Sequence, residues 1–490
     1  MKKYSLKITV ILMLMAIMLA SCGKDFLNPP QTDAVDDQIA FRVPTDLVTG
    51  MHGVYHSMTR VGFMGRNVVL FGDIPADKIN KMAAGDMTFQ TIEAYNFTDN
   101  DGNLLSTWAT GYQIINNSMR VIDEGNRMLN DGGPWSAADI SLMHTQIAEA
   151  HALRAFALFK LVNIFGLPHS TPTHDNTGTM GIVAEDRFIF SDESVQRSSV
   201  GDAYDLILAS IERAKTHFAL GNRSFRPFYM NYAAVHALEA RVNLYMRNWQ
   251  GAITSANAAL QASNAVIEMN QDRFIAMWGE PAATHEDIFS LSINAAIALA
   301  ASSLTAFYDV SGGSINHSFY YEFDSLDMRR GLFVRHTTVD PNFWRPMKFP
   351  NPARINNTRV FGAPEMYLII AEAETELGTN LDAARTALFQ VAQRNPAFTT
   401  VGDLLPYTNS QADLRTFVAE ERARELFQEG HRFFDIRRTG VLMTRPTGET
   451  RLNIVDWDAS RFVFPIPYAE INVPGNRVIQ TPNWTANLPR

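Results

Sequence analysis

Two windows of 34 residues, Met230–Ser263 and Gly362–Asn395, carry apolar residues at matching places. Leu238 falls against Ile370, Tyr245 against Leu377, Trp249 against Leu381, Ala252 against Ala384, Ala256 against Leu388 and Ala259 against Val391. Inside each window these positions advance by threes and fours, which is the spacing of one helix face; a strand would alternate every two residues. Each window is therefore expected to be a helical pair. Such a pair cannot bury its apolar face alone, so it must stack on a neighbour.

Other stretches have the same character. Helical spacing runs from Thr45 through Leu47, Met51, Val54, Tyr55 and Met58 to about Gly62. The polar turn at Asp99–Asn103 is expected to cap a helix over Leu104–Leu129, and Gly132-Gly133-Pro134 to break it. Ser136 then opens a long helix to Phe165, and Asp202–Phe218 is amphipathic. Asn243 and Glu372 depart from the usual aromatic and small residues of the tetratricopeptide pattern, but period and spacing agree with it. The expected fold class is mainly α: a tetratricopeptide-like helical-repeat scaffold over about 104–263 and 362–440. Residues 264–360 lack helical periodicity and read as a large irregular, partly β insertion, with Phe319–Phe323 alternating as a strand would. That alternation would leave Tyr320 free on the outer face.

The densest run of charge is Glu420–Arg438, where Glu421, Arg422, Arg424, Glu425, Glu429, Arg432, Asp435 and Arg437 alternate in sign. At spacings of three and four they can bond within and across two helices that meet at Gly430, placed for a left-handed cap. An ion-pair lattice fixing a helical corner is the expected role, with Arg432 paired to Glu429 or Asp435. Glu421, Arg422, Glu425, Leu426, Glu429, Gly430, Arg432, Asp435 and Arg438 also stand in register with a hallmark of the SusD/RagB family of outer-membrane nutrient-binding lipoproteins, which this stretch closely resembles. Further resemblance lies in Glu149, Leu153, Arg154 and Ala155 followed by Phe165-Gly166-x-Pro168, in Asp77, in the Asp327-x-Arg329 turn, and in Phe464-Pro-Ile-Pro467.

At the start, Lys2, Lys3 and Lys7 precede an apolar run, Ile8–Leu19, too short to span a bilayer as a helix. A signal peptide over 1–21 is expected. Leu19-Ala20-Ser21-Cys22 resembles a bacterial lipobox, which implies that Cys22, the single cysteine of 490 residues, carries a lipid anchor. Residues 22–44 read as a lipidated tether ahead of a single domain over 45–490. Loss of three signal lysines would take the formal charge from −9 to −12, which argues against a nucleic-acid partner.

No metalloprotease, hydrolase, phosphate-loop or dinucleotide motif occurs, so neither an enzyme nor a cofactor is expected. His52 and His56 have metal-compatible spacing but no third ligand nearby, and a metal site is not expected. A saccharide offers flat C–H faces rimmed by hydroxyls, so a site for it needs aromatic rings beside polar side chains. Trp278, Tyr320, Phe343, Trp344 and Arg345 in the insertion, with Asp77, Tyr95 and Asn96 in the early loop, supply that chemistry. The resemblance implies that ligand meets the face built from these two regions. It also implies cell-surface capture of a glycan and delivery to a SusC-like TonB-dependent porin. A peptide-binding RagB-like role and a protein-binding helical scaffold remain open from sequence.

Overall fold

Capping residues mark where the helices begin. Ser136 Oγ accepts from the Asp139 backbone N–H at 3.1 Å, while the Asp139 carboxylate accepts from the Ser136 N–H at 3.0 Å. Ser199 with Asp202 and Ser410 with Asp413 repeat this box, and Asp101 caps its helix through the Asn103 N–H. The computed structural model describes residues 40–81, 87–95, 97–169, 180–190, 193–315, 317–336, 343–440 and 463–481; Cys22, the signal segment and Asn96 lie outside them.

The first elements are α1 (Pro44–Met58), α2 (Asn67–Asp73), β1 (Ile79–Lys81) and α3 (Gln90–Glu93). Then come α4 (Gly102–Asp131), α5 (Ala137–Phe165), α6 (Val200–Leu220), α7 (Tyr232–Tyr245) and α8 (Trp249–Ser263). The region after α8 holds α9 (Gln271–Ala276), β2 (Asp287–Leu291), α10 (Leu304–Asp309), β3 (Gly313–Ile315), α11 (His317–Tyr321), β4 (Phe333–Arg335), β5 (Trp344–Pro346) and β6 (Thr358–Gly362). Helices return with α12 (Ala363–Leu377), α13 (Leu381–Ala392), α14 (Gln411–Glu425), α15 (Arg432–Thr439) and α16 (Tyr468–Ile471).

Neighbouring helices stack in chain order. α4 packs on α5, α5 on α6, α6 on α7 and α7 on α8; α8 then meets α12 across the insertion, and α12 packs on α13 and α14. Ala252, Ala256, Ala259, Ala384, Leu388 and Val391 are all buried, so the apolar positions of the two 34-residue windows form the interface between helical pairs. The mainly α, tetratricopeptide-like fold class holds. At the far end Phe464 returns to the foot of α5, donating its N–H to the Ile164 carbonyl at 3.0 Å and packing its ring against Phe71, Phe97 and Phe433.

Four expectations need correction. Phe41 is buried and its carbonyl accepts from Arg127 Nη2 at 3.0 Å, so residues 41–44 belong to the folded body instead of the tether. The glycine-rich stretch after Gly62 contains a buried helix, α2. Phe319–Phe323 is not a strand: α11 and the turn that follows it bring Phe319 and Phe323 together, with rings 5.1 Å apart and both buried. Apolar residues at i and i+4 also fit a period of two, which is why the sequence alone was ambiguous. Lastly, α14 stops at Glu425, short of the expected corner; Gln428 and Gly430 both take positive φ in the turn that follows. Gly430 is needed for closeness as well as for φ, since a Cβ there would fall 2.8 Å from Val69 Cα of α2, and a Cβ on Gly72 would fall 2.1 Å from the Gly430 carbonyl oxygen.

Candidate functional site

A four-stranded antiparallel sheet of order β1-β3-β5-β4 joins the early loop to the insertion. Ile79 of β1 pairs with Ile315 of β3, Ile315 with Trp344 of β5, and Trp344 with Arg335 of β4. The two regions expected to form the ligand face therefore meet at this sheet.

On it, Trp344 and Tyr320 stack nearly parallel, their ring centres 3.8 Å apart and their planes 11° from coincidence. The Arg335 guanidinium lies 4.3 Å from the Trp344 ring and the Arg330 guanidinium 4.3 Å from Tyr320. Rings held this way are rigid, and each is polarised by a cation. Both are half-buried, so Tyr320 is not the free outer ring that the strand reading required. That position falls to Tyr321, 59% exposed, whose ring stands perpendicular to Tyr320 at 5.2 Å with the His317 ring 4.9 Å away. Sequence reasoning passed over Tyr321 because it was assigned to the inner face of a strand; a helical reading of the same five residues would have found it.

The other expected residues have structural attachments. Asp77 receives both Nε and Nη2 of Arg432 at 2.7 Å, so Arg432 pairs with neither Glu429 nor Asp435. Burial alone would raise the Asp77 carboxyl, but Arg432 outweighs it and holds it below the usual range. Tyr95 is half-buried and donates to the Pro75 carbonyl at 2.7 Å. Phe343 is half-buried, its carbonyl accepting from the His336 N–H at 3.0 Å. Arg345 pairs with Asp309. Trp278 lies off the sheet, on the short turn Met277–Gly279, with Lys348 Nζ 4.4 Å and the Arg359 guanidinium 4.3 Å from its ring. Those cations already occupy the ring that a sugar would need.

Beside the sheet opens a cavity of about 770 Å³, within the range of small-ligand sites. Its wall includes Trp249, Glu372, Arg415 and Arg432 from the helices, and Lys78 and Glu322 from the sheet side. Lys78 Nζ and Glu322 Oε1 are 2.6 Å apart. Glu322 follows Tyr321 directly in the chain and lines the cavity, whereas Tyr321 is not among the residues of its wall.

Behind this face lies the ion-pair lattice. Arg329 is 1% exposed and reaches Asp327 and Glu421 at 2.6 Å and Glu425 at 3.2 Å. Lys348 meets Glu429, Arg394 meets Glu286 and Glu425, and Asp435 receives Arg422 and Arg438. Burial would raise Glu421, but Arg329 and Arg424 together hold it below the ordinary range; for Glu425 burial prevails and the carboxyl is raised. The lattice ties the insertion to the C-terminal helices, and Arg241 of α7 adds the earlier group through Glu365 and the Val360 carbonyl. Arg329, Glu421, Glu425 and Arg394 are neutralised and buried, as suits a clamp, whereas Arg422, Asp435 and Arg438 also line the cavity.

Two family profiles match the chain: one described as "Starch-binding associating with outer membrane" over residues 72–244, and one described as "SusD family" over residues 351–484. SusD-like protein P2 of Formosa agariphila is 24% identical across 99% of this chain and 100% of its own length. A SusD superfamily structure from Bacteroides vulgatus is 25% identical over 87% of this chain and 96% of that one, with a TM-score of 0.76. A second, from Bacteroides thetaiotaomicron, covers 90% and 100% at 22% identity and a TM-score of 0.79; a laminarin-binding SusD-like protein covers 90% and 100% at 19% and 0.69. With the hallmark charges placed as one buried lattice on this shared fold, the chain belongs to the SusD/RagB family, whose members associate with the outer membrane.

Proposed function

We propose that this protein is a lipid-anchored, cell-surface binding protein that captures a glycan and passes it to a SusC-like TonB-dependent transporter. In this reading residues 45–490 act as one binding domain and Cys22 holds the acyl chains. The observation that carries it is the Tyr321 ring, exposed beside the rigid Tyr320–Trp344 stack and followed in the chain by Glu322, whose pair with Lys78 lines the cavity. A sugar ring laid on Tyr321 finds a carboxylate that accepts from its hydroxyls and an ammonium that donates to them. The names of relatives, starch-binding and laminarin-binding, favour a glucan among candidate ligands.

The test is glycan-array screening of the purified chain, followed by calorimetry on the best ligand. Tyr321→Ala is expected to raise Kd by about five- to a hundredfold, the effect of losing one stacking ring of about 1–3 kcal/mol, with melting unchanged. Unaltered affinity in that variant would remove Tyr321 from the binding site. An array without hits, alongside saturable binding of peptides, would replace the glycan with the RagB-like alternative. Capture of protein partners alone would leave the scaffold reading.

A further inference from the structure

On the opposite pair of helices, α5 and α6, three imidazoles form a row. His144 Nδ1 and His217 Nδ1 are 3.0 Å apart, and the His217 ring lies 5.1 Å from His144 and 5.9 Å from His151. His144 and His217 are half-exposed, whereas His151 is buried with its Nδ1 unpartnered. The close contact is an N–H···N bond in which one Nδ1 carries the shared proton and the other offers its lone pair. If the donor moves that proton to its Nε2, on a ring that solvent reaches, both Nδ1 atoms become ligands with no net proton lost.

We propose that His144 and His217 form a two-nitrogen site for a divalent transition-metal cation of the copper or nickel type, bridging α5 and α6. A metal about 2.05 Å from both nitrogens, at their observed separation of 3.0 Å, would subtend about 94°, the cis angle of tetragonal Cu²⁺ or Ni²⁺ and narrower than tetrahedral Zn²⁺ requires. Among the described residues no group of three or more His, Cys, Asp or Glu side chains is disposed around a metal, so water completes the shell.

The experiment is titration of the purified full chain with NiCl2 at pH 7.5, with electron paramagnetic resonance of the CuCl2-loaded protein. All arms carry Cys22→Ala, so that the one thiol cannot contribute. One saturable equivalent and nitrogen hyperfine structure are expected. His144→Gln and His217→Gln, which keep volume and polarity, should each weaken binding by about tenfold or more at unchanged metal-free melting. His56→Ala on α1, which breaks the exposed His52/His56 pair, should leave the binding intact. No saturable step in the parent, a step that survives the double glutamine variant, or one lost with His56→Ala would each overturn the proposal.

Discussion

Trp344 and Tyr321 are aromatic neighbours with opposite expected behaviour, because one ring is enclosed and the other is not. Trp344 is held between Tyr320 and Arg335, so Trp344→Ala should cost about 3 kcal/mol of stability as well as affinity. Calorimetric binding and thermal melting measured on the same samples separate the two effects. This differs from what sequence suggests, in which Trp278, Tyr320 and Trp344 are surplus rings that could be removed without affecting stability. Composition shows how many rings a segment holds, but their partners, here Arg330, Arg335, Lys348 and Arg359, come from elsewhere in the chain. Lys160 offers a second residue-scale test. Burial, reinforced by Arg241 and opposed by Glu365 and Asp73, pushes its ammonium down to about 7. A lysine whose folded value lies below its unfolded one withholds stability at and below pH 7 and returns it as pH rises toward about 10.5. Lys160→Met is therefore expected to stabilise the protein at pH 6 by about 1–4 kcal/mol, with the gain shrinking toward pH 10. Chemical denaturation at the two pH values checks this; a gain independent of pH would assign it to packing.

Between elements, the strongest constraint is where α2 touches the turn before α15. Gly72 and Gly430 bring two backbones together, and an added Cβ on either would strike main chain, which cannot swing aside. Gly72→Ala should cost more than about 3 kcal/mol, read from denaturant midpoints. The Arg432–Asp77 pair fastens the segment leading into β1 to α15. Removing the guanidinium in Arg432→Ala takes two hydrogen bonds and the nearest cation from a nearly buried carboxylate, at about 3 kcal/mol, and loosens the sheet edge beside Lys78. Hydrogen exchange in β1 and β3 should rise in that variant more than exchange in α7 or α8. The starts of two long helices were legible because their caps are local: Ser136, and Asp101 within the Asp99–Asn103 turn, act on backbone groups within a few residues, whereas the helix expected from Asp202 begins at Val200 behind its Ser199 cap. Arg432's partner was not, since Asp77 lies hundreds of residues away and competed with nearer carboxylates of equal chemistry.

At the scale of the molecule, Arg329 and Arg394 with their carboxylates bind the insertion to the C-terminal helices, and Arg241 of α7 joins the earlier helices to both through Glu365 and the Val360 carbonyl, making one body. If Cys22 is the anchor of that body, Cys22→Ala should move the protein from the membrane to the soluble fraction with its melting temperature unchanged; detergent-dependent fractionation of the variant would contradict the anchor. Periodicity, capping and the charged hallmark are properties of neighbouring residues, so the sequence by itself determined the helical-repeat class, the long helices and the family. Which aromatic ring is exposed, which arginine meets which carboxylate, and that His144 and His217 face each other depend on contacts between segments far apart in the chain. Those were decided only by the tertiary structure, because packing selects one partner among many chemically equivalent ones.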